Sequence, residues 1–248
     1  MTMTRIDRLL PLPAAEMGDD DLLEAFGATP ERWLRVNFVS SVDGAATAGG
    51  LSGGLSGAAD KRVFELLRRL ADVVLVGAGT VRAEGYGPML VSAESAAWRT
   101  ERGRPAHPVF AIVSGGLDLD PASTIFTAAP VRPIVLTTER STAEQRARFE
   151  PVADVVVAGE RTVDVVAMVS QLADRGLGRV LNEGGPSLFG ALLAADRVDE
   201  LCLTVSPLLV AGDSGRIARG PLDAARDLRL AQVLHSEGAL LLRYLRQR

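Results

Sequence analysis

The sequence has one cysteine, Cys202, and it lies inside an apolar run. That excludes disulfides and cysteine-based metal sites and fits a reducing, cytoplasmic setting. Positive charge is not in excess: 27 Lys and Arg face 31 Asp and Glu, a net charge of −4. No basic face is therefore on offer to nucleic acid or an anionic membrane. No apolar run is long enough to span a bilayer. The opening MTMTRIDRLLPLPAAEMGDDD is broken by two prolines and lacks the continuous apolar core of a signal peptide. Aromatics make up only 4%, beside many Ala, Arg, Val and Gly residues, a mark of GC-rich codons and not of function. The two histidines, His107 and His235, are far apart without ligand spacing and read as structural. No Walker loop, nucleophile elbow or HExxH motif occurs.

What is present is a large apolar share, 47% of 248 residues, enough for a substantial core. Residues 1–30 read as an irregular extension with one short acidic helix near 20–26, and residues 31–248 as one domain. Strands are expected at 34–39, 73–76, 109–113, 134–136, 154–157, 179–181 and 201–205. Helices are expected at 58–70, 93–98, 142–149, 163–175 and 186–194, and a terminal hairpin at 228–235 and 239–246. Strands alternating with helices argue a three-layer α/β/α fold, its central sheet mostly parallel, with antiparallel C-terminal strands. The Gly- and Ser-rich loop at 40–57 is long enough to suggest a functional role.

The most informative stretch is RVLNEGGPSLFG, residues 179–190. A buried strand turns through Gly184 and Gly185 into a helix that opens with Pro186, Ser187 and Leu188. Paired glycines let a ligand approach the backbone, and the helix N-terminus adds roughly half a positive charge, a setting for phosphate. The plainer alternative is a tight loop that uses the glycines for geometry alone. Glu183, immediately before them, would gain a phosphate nothing and is expected to face a second ligand.

Other strands also end in small or hydroxyl residues: Ser40, Gly77, Ser114 and Thr137. Ligands bind outside the carboxyl ends of parallel strands, and five such ends suggest an extended ligand such as a dinucleotide. VVLVGAGTVRAEG, 73–85, imitates a dinucleotide fingerprint, but its third glycine position holds Arg82. Thr80 is expected there as a hydroxyl cap. Asp60 either serves the dipole of its helix or pairs with the amidine edge of a heterocycle. Arg68 either solvates the helix or clamps a phosphate.

Taken together, NFVSSVDGAAT, FELLRR, VLVGAGTVRAEGYGP and LNEGGPSLFGALLAADRVDELCLTVSPLLVAG resemble the reductase family of riboflavin biosynthesis over residues 33–246. The resemblance implies a dihydrofolate reductase-like fold, NADPH as cofactor, no metal, and a phosphoribosylamino-pyrimidine whose opened ribose imine is reduced. It implies cofactor contacts at Val39, Ser40, Gly54, Gly77, Thr80, Ser114 and residues 184–188. Substrate contacts follow at Asn37, Ser52, Asp60, Arg68, Glu84 and Glu183, with Asp60 and Glu183 in catalytic roles. Arg132 and Arg140 are candidate partners of a cofactor 2′-phosphate beside Ser114. Relatives further imply a homodimer, with the C-terminal strands as interface.

The sequence departs from the family at Asn37 and in lacking a zinc-deaminase signature, and Asp60 adds a likeness to a pterin site. Asn37 stands where the family's first strand commonly has a lysine, and Asp60 resembles the acid that holds the pterin in dihydrofolate reductase. No HxE or PCxxC signature of a zinc deaminase is present. Reduction of a pterin, or NADP(H) binding without catalysis, therefore stand as the alternatives.

Overall fold

A computed structural model describes residues 4–27 and 29–247. Its elements in chain order are β1 (Asp7–Leu10), α1 (Asp19–Gly27), β2 (Trp33–Ser41), α2 (Ala58–Leu70), β3 (Val73–Gly77), α3 (Ala78–Glu84) and α4 (Ala93–Glu101). Then come β4 (Val109–Val113), α5 (Thr124–Thr127), β5 (Ile134–Thr137), α6 (Ala143–Ala147), β6 (Asp154–Val157) and α7 (Val165–Asp174). The last are β7 (Arg179–Asn182), α8 (Pro186–Ala194), β8 (Glu200–Ser206), β9 (Leu228–Ser236) and β10 (Ala239–Arg246).

The strands form one sheet in the order β1-β9-β10-β8-β2-β7-β3-β4-β5-β6. From β8 to β6 every neighbouring pair is parallel, and β10, β9 and β1 add an antiparallel edge. The apolar run of β3 shows why the sheet is covered twice. Val74 and Val76 enter a core shared with α1, α2 and α3, whereas Val73 and Leu75 enter a second core under α7 and α8. A strand buried on both faces needs no alternation in its sequence.

The helix that matters most to the site is α2. Val63, Leu66, Leu67 and Leu70 form its buried stripe, at the helical spacing expected. Its C-terminal carbonyls are held by two arginines. Arg99 donates to the carbonyls of Arg69 (2.9 Å) and Ala71 (2.5 Å), and Arg104 to that of Leu70 (2.7 Å). Cations placed there complement the helix dipole. Burial, then the nearby Arg104, pulls the Arg99 guanidinium down to about 10, so it stays charged at neutral pH.

The first 30 residues depart from expectation. Their acidic helix is present, but the stretch is not irregular: β1 pairs with β9, with a register shift between Arg8 and Leu10. Ile6, Met17, Leu22, Leu23 and Phe26 are core residues. Arg62 of α2 binds the segment by donating to Asp19 (2.7 Å) and to the carbonyls of Thr4 and Met17. A four-residue edge strand whose partner lies more than two hundred residues away leaves no periodic signal.

Candidate active site

Because β2, β7, β3, β4 and β5 run parallel, Ser40, Gly184, Gly77, Ser114 and Thr137 fall at one edge of the sheet. At its centre, β7 and β3 are stitched past their ends. The Glu183 N–H donates to the Leu75 carbonyl (3.1 Å), and the Gly77 N–H to the Gly184 carbonyl (2.9 Å). The Asn182 amide bridges the same two carbonyls. Gly184 has φ of +121°, a conformation that side chains oppose, and a cis peptide joins it to Gly185. A Cβ on Gly185 would collide with the Thr80 hydroxyl, so the turn and α3 approach as closely as glycine permits.

Gly185 caps α8 without a side-chain bond, and Pro186 takes the first helical position. Thr80 corrects the expectation of a hydroxyl cap: Gly77 occupies the cap position, and Thr80 sits one turn in, against Gly184 and Gly185. The open N–H groups of the α8 first turn and the Thr80 hydroxyl are the donor set that a pyrophosphate takes.

In front of this turn lies a cavity of about 260 Å³. Asn37, Val39, Ser52, Asp60, Thr80, Glu84, Glu183, Gly184, Gly185 and Pro186 line it, together with Lys61, Phe64 and Tyr86, which the sequence reading had not singled out. Asp60 is buried and accepts a short hydrogen bond from the Ser56 hydroxyl. Glu84 accepts from the Ser52 N–H (2.9 Å), tying the 3-10 turn at Ser52–Gly54 to α3.

Glu183 and Arg68 form one unit. Arg68 Nε and Nη2 donate to the two carboxylate oxygens at 2.6 and 2.7 Å, and the Tyr86 hydroxyl donates at 3.1 Å. The Phe64 ring lies 4.3 Å from the guanidinium carbon. Such bidentate, charge-assisted pairing fixes geometry as well as energy. Burial works against the charge on Arg68, but the carboxylate outweighs it and holds the guanidinium firmly protonated. Burial and then the same carboxylate push the Tyr86 phenol well above its usual range, so it stays a donor.

The loop over the cavity is held by Asp43. Its carboxylate accepts from the Ser41 hydroxyl and from the N–H groups of Val210 and Ala211 (2.7 Å to the latter). The Ala46 N–H also donates to Gly215 (2.9 Å), which places Ala46 and Thr47 on the cavity wall. The Ser41 hydroxyl, followed by the Ala211 N–H, holds the Asp43 carboxyl below its ordinary range.

The RibD C-terminal domain family profile matches residues 32–242. The chain belongs to the RibD C-terminal domain family. A 2,5-diamino-6-ribosylamino-4(3H)-pyrimidinone 5′-phosphate reductase from Methanothermobacter thermautotrophicus is 31% identical over 186 residues, 74% of this chain and 82% of that protein. The Archaeoglobus fulgidus enzyme of the same name is 28% identical over 162 residues, 65% of this chain and 74% of that one. Among solved structures, a pyrimidine reductase-like protein from Corynebacterium diphtheriae superimposes with a TM-score of 0.83 at 27% identity, covering 92% of this chain and 98% of that one. The mixed α/β sheet is thus the RibD-type reductase fold expected.

Not every residue expected at this RibD-type site lines the cavity. Ser40 is buried beside it without lining it. Gly54 faces a neighbouring cavity toward β8, and the Ala48 carbonyl packs against it. The Leu188 side chain enters the core under α8, so only its backbone is available to a ligand; Ser187 is exposed. Ser114 and Gly77 share the sheet edge without lining the cavity. Arg68 borders an adjoining cavity of about 300 Å³ instead.

Arg132 is a correction. It precedes β5 at the opposite edge of the sheet and is spent on Asp154 (2.6 Å) and the Ala153 carbonyl (2.8 Å). Arg140 follows β5 on the same side as Ser114 and is exposed. His107 accepts from the Val91 N–H (3.2 Å), a structural role as expected. No cluster of metal-ligating side chains occurs among the described residues. None of the described helices is long and apolar enough to cross a membrane.

Proposed function

We propose that this chain is an NADPH-dependent reductase of a ribosylaminopyrimidine 5′-phosphate, the substrate class named for its curated relatives. The observation that carries the reading is the junction of two unlike surfaces in one cavity. One is the backbone cradle of Gly184, Gly185 and the α8 N-terminus beside Thr80, suited to a pyrophosphate. The other is a polar wall of Asn37, Asp60, Glu84 and Glu183, suited to a heterocycle rich in N–H groups.

The residues present fit a nicotinamide cofactor. Thr80, Gly184, Gly185 and the α8 backbone would hold its pyrophosphate, Val39 would meet the ring, and Ser114 with Arg140 would meet a 2′-phosphate. When bound, NADPH supplies the hydride. The protein's part is to orient the accepting carbon and exclude water. Asp60 and Asn37 orient the pyrimidine. Arg68 and Tyr86 fix the direction of the Glu183 carboxyl group, so that it serves as an acceptor for substrate N–H groups.

One observation favours a pterin as second reading: Asp60 is 7% exposed, lines the cavity and can pair with an amidine edge. Exposed Leu228, Leu230 and Leu240 on the terminal hairpin support a homodimer through that face. The cofactor reading is tested by calorimetric titration of NADPH and NADH. Gly185→Ala, which displaces Thr80, is expected to weaken NADPH by about ten-fold or more, on the scale of one lost phosphate contact. Arg140→Ala should narrow the preference for NADPH. Unchanged dissociation constants in both variants would contradict the reading.

A further inference from the structure

Two stretches without helix or strand leave the sheet side by side. β2 and β8 are parallel neighbours, and their last residues, Ser41 and Ser206, are register partners. Residues 42–47 follow β2 and supply Ala46 and Thr47 to the wall of the main cavity. Residues 207–219 follow β8, line no part of that cavity and are mostly exposed. The two stretches are laced together. The Val42 N–H donates to the Leu208 carbonyl (3.0 Å), the Ala46 N–H to that of Gly215 (2.9 Å), and the Ser214 hydroxyl to that of Thr47 (3.0 Å). Asp43 closes the set by accepting from the Val210 and Ala211 N–H groups. Ala211 has φ of +56°, a conformation that its side chain opposes, and the bond to Asp43 holds it there.

The far end of 207–219 is fixed to the cradle. The Arg219 N–H donates to the Pro186 carbonyl in the first turn of α8 (2.9 Å). Ile217 and Ala218 pack on the core under α8, and a Cβ on Gly190 would collide with the Arg219 carbonyl. One strap therefore runs from the cavity wall to the helix whose N-terminus opens the cradle. We propose that Asp43 is a positioning residue of this site, acting through residues 207–219 to hold Ala46 and Thr47 in place against the cradle. The proposal rests on the reductase reading above. Hydride transfer needs the accepting carbon held near contact with the nicotinamide and water kept out, and a wall that shifts loses both. Cofactor binding needs less, because the turn at Gly184 keeps its bonds to Gly77 and Asn182 without Asp43. Asp43 is itself exposed and lines no part of the cavity, so any effect it has on the reaction passes through the strap.

The strap is read first without any ligand, by hydrogen exchange of the free protein. In Asp43→Ala the Ala46 amide, which is bonded to Gly215, should exchange at least several-fold faster than in wild type. The Arg219 amide, bonded to α8, should keep its wild-type rate. The Val42, Ala46 and Ser214 bonds remain available, so the fold is expected to persist. Should Asp43→Ala not fold, Ser214→Ala loosens the same lacing at Thr47 and is measured in its place. An Ala46 amide that exchanges at the wild-type rate would overturn the proposal.

The reaction is then followed in a single turnover, with NADPH bound beforehand and its absorbance recorded as the ribosylaminopyrimidinone phosphate is added. The hydride step should slow about ten- to hundred-fold in Asp43→Ala, the scale of a small misplacement, while the NADPH dissociation constant holds. Asp43→Asn, which keeps an acceptor oxygen, should recover most of the rate. A merely structural role would lower thermal stability and leave the single-turnover rate of the folded variant intact, contradicting the proposal. Equal losses of rate and of NADPH affinity would contradict it too, by placing the damage in the cradle. If the wild-type protein reduces no pyrimidine, the functional reading fails by itself, and the exchange experiment still decides whether Asp43 holds the wall.

Discussion

Two buried arginine–glutamate clusters flank β2, and they do different work. At the start of β8, Glu200 has no exposed side-chain surface and receives Arg35 of β2, Arg243 of β10 (2.7 Å) and the Trp33 indole N–H (2.7 Å). Both guanidinium groups also lie within 6 Å of the Phe26 ring centre, at 5.7 and 5.8 Å. Arg35 borders a crevice of about 10 Å³ and Trp33 also a cavity of about 230 Å³, but Glu200 itself lines neither. Past the end of β7, Glu183 is equally buried but has one arginine, one tyrosine and a cavity of about 260 Å³ in front of it. The same ion pair is mortar where every neighbour is protein and a site where one wall is open. A buried ion pair alone is weak evidence for either role, and the adjoining space decides.

The largest effect should come from breaking the closed cluster. Glu200→Ala leaves Arg35 and Arg243 buried without their anion, and about 3–5 kcal/mol of stability should be lost in urea unfolding. Cofactor affinity of the protein that remains folded should hold. A loss below about 1 kcal/mol would place Glu200 with ordinary surface pairs.

Glu183→Gln should show the converse. Its catalytic efficiency is expected to fall about a hundred-fold, roughly 2.7 kcal/mol of transition-state stabilisation. Its stability should fall less than that of Glu200→Ala, because Arg68 is 18% exposed and reaches water. If both variants lose stability alike and Glu183→Gln keeps full turnover, the distinction between the clusters collapses.

Acid gives the smallest and most gradual effect. Burial alone would raise the Glu200 carboxyl, but Arg35 and Arg243 outweigh it and hold it below its ordinary value. A carboxylate with a lowered folded value stabilises above its unfolded value, near 4.3, and that contribution fades as pH falls through the folded one. The stability gap between wild type and Glu200→Gln should therefore be full at neutral pH and shrink below about pH 4. A gap that widens in acid would reverse the sign of this account.

Much of this arrangement was legible in the sequence. The bounds of α2, β4, β6 and β10 follow from periodicity and punctuation, and the small residues at the parallel strand ends announced a ligand edge. What periodicity cannot carry is the order of strands across the sheet. β7 inserts between β2 and β3, and only that insertion brings Glu183 to Arg68, 115 residues away in sequence. The same blindness put Arg132 with Ser114, although the two lie at opposite ends of adjacent strands. Tyr86 carried no signal, since a tyrosine between glycines reads as loop until its hydroxyl is seen on a buried carboxylate. Asp43 shows no role of its own in the sequence, because its hold on residues 210 and 211 depends on a contact across the fold.

The central claim is that the cradle and the polar wall work together as one reductase site. It is tested by mixing the protein with NADPH and 2,5-diamino-6-ribosylamino-4(3H)-pyrimidinone 5′-phosphate while following the reduced-nicotinamide absorbance and the product mass. The account predicts loss of NADPH in step with a two-hydrogen gain in the pyrimidine, abolished or strongly slowed in Glu183→Gln. Tight binding of both ligands with no NADPH consumed would contradict it and leave a binding protein in its place.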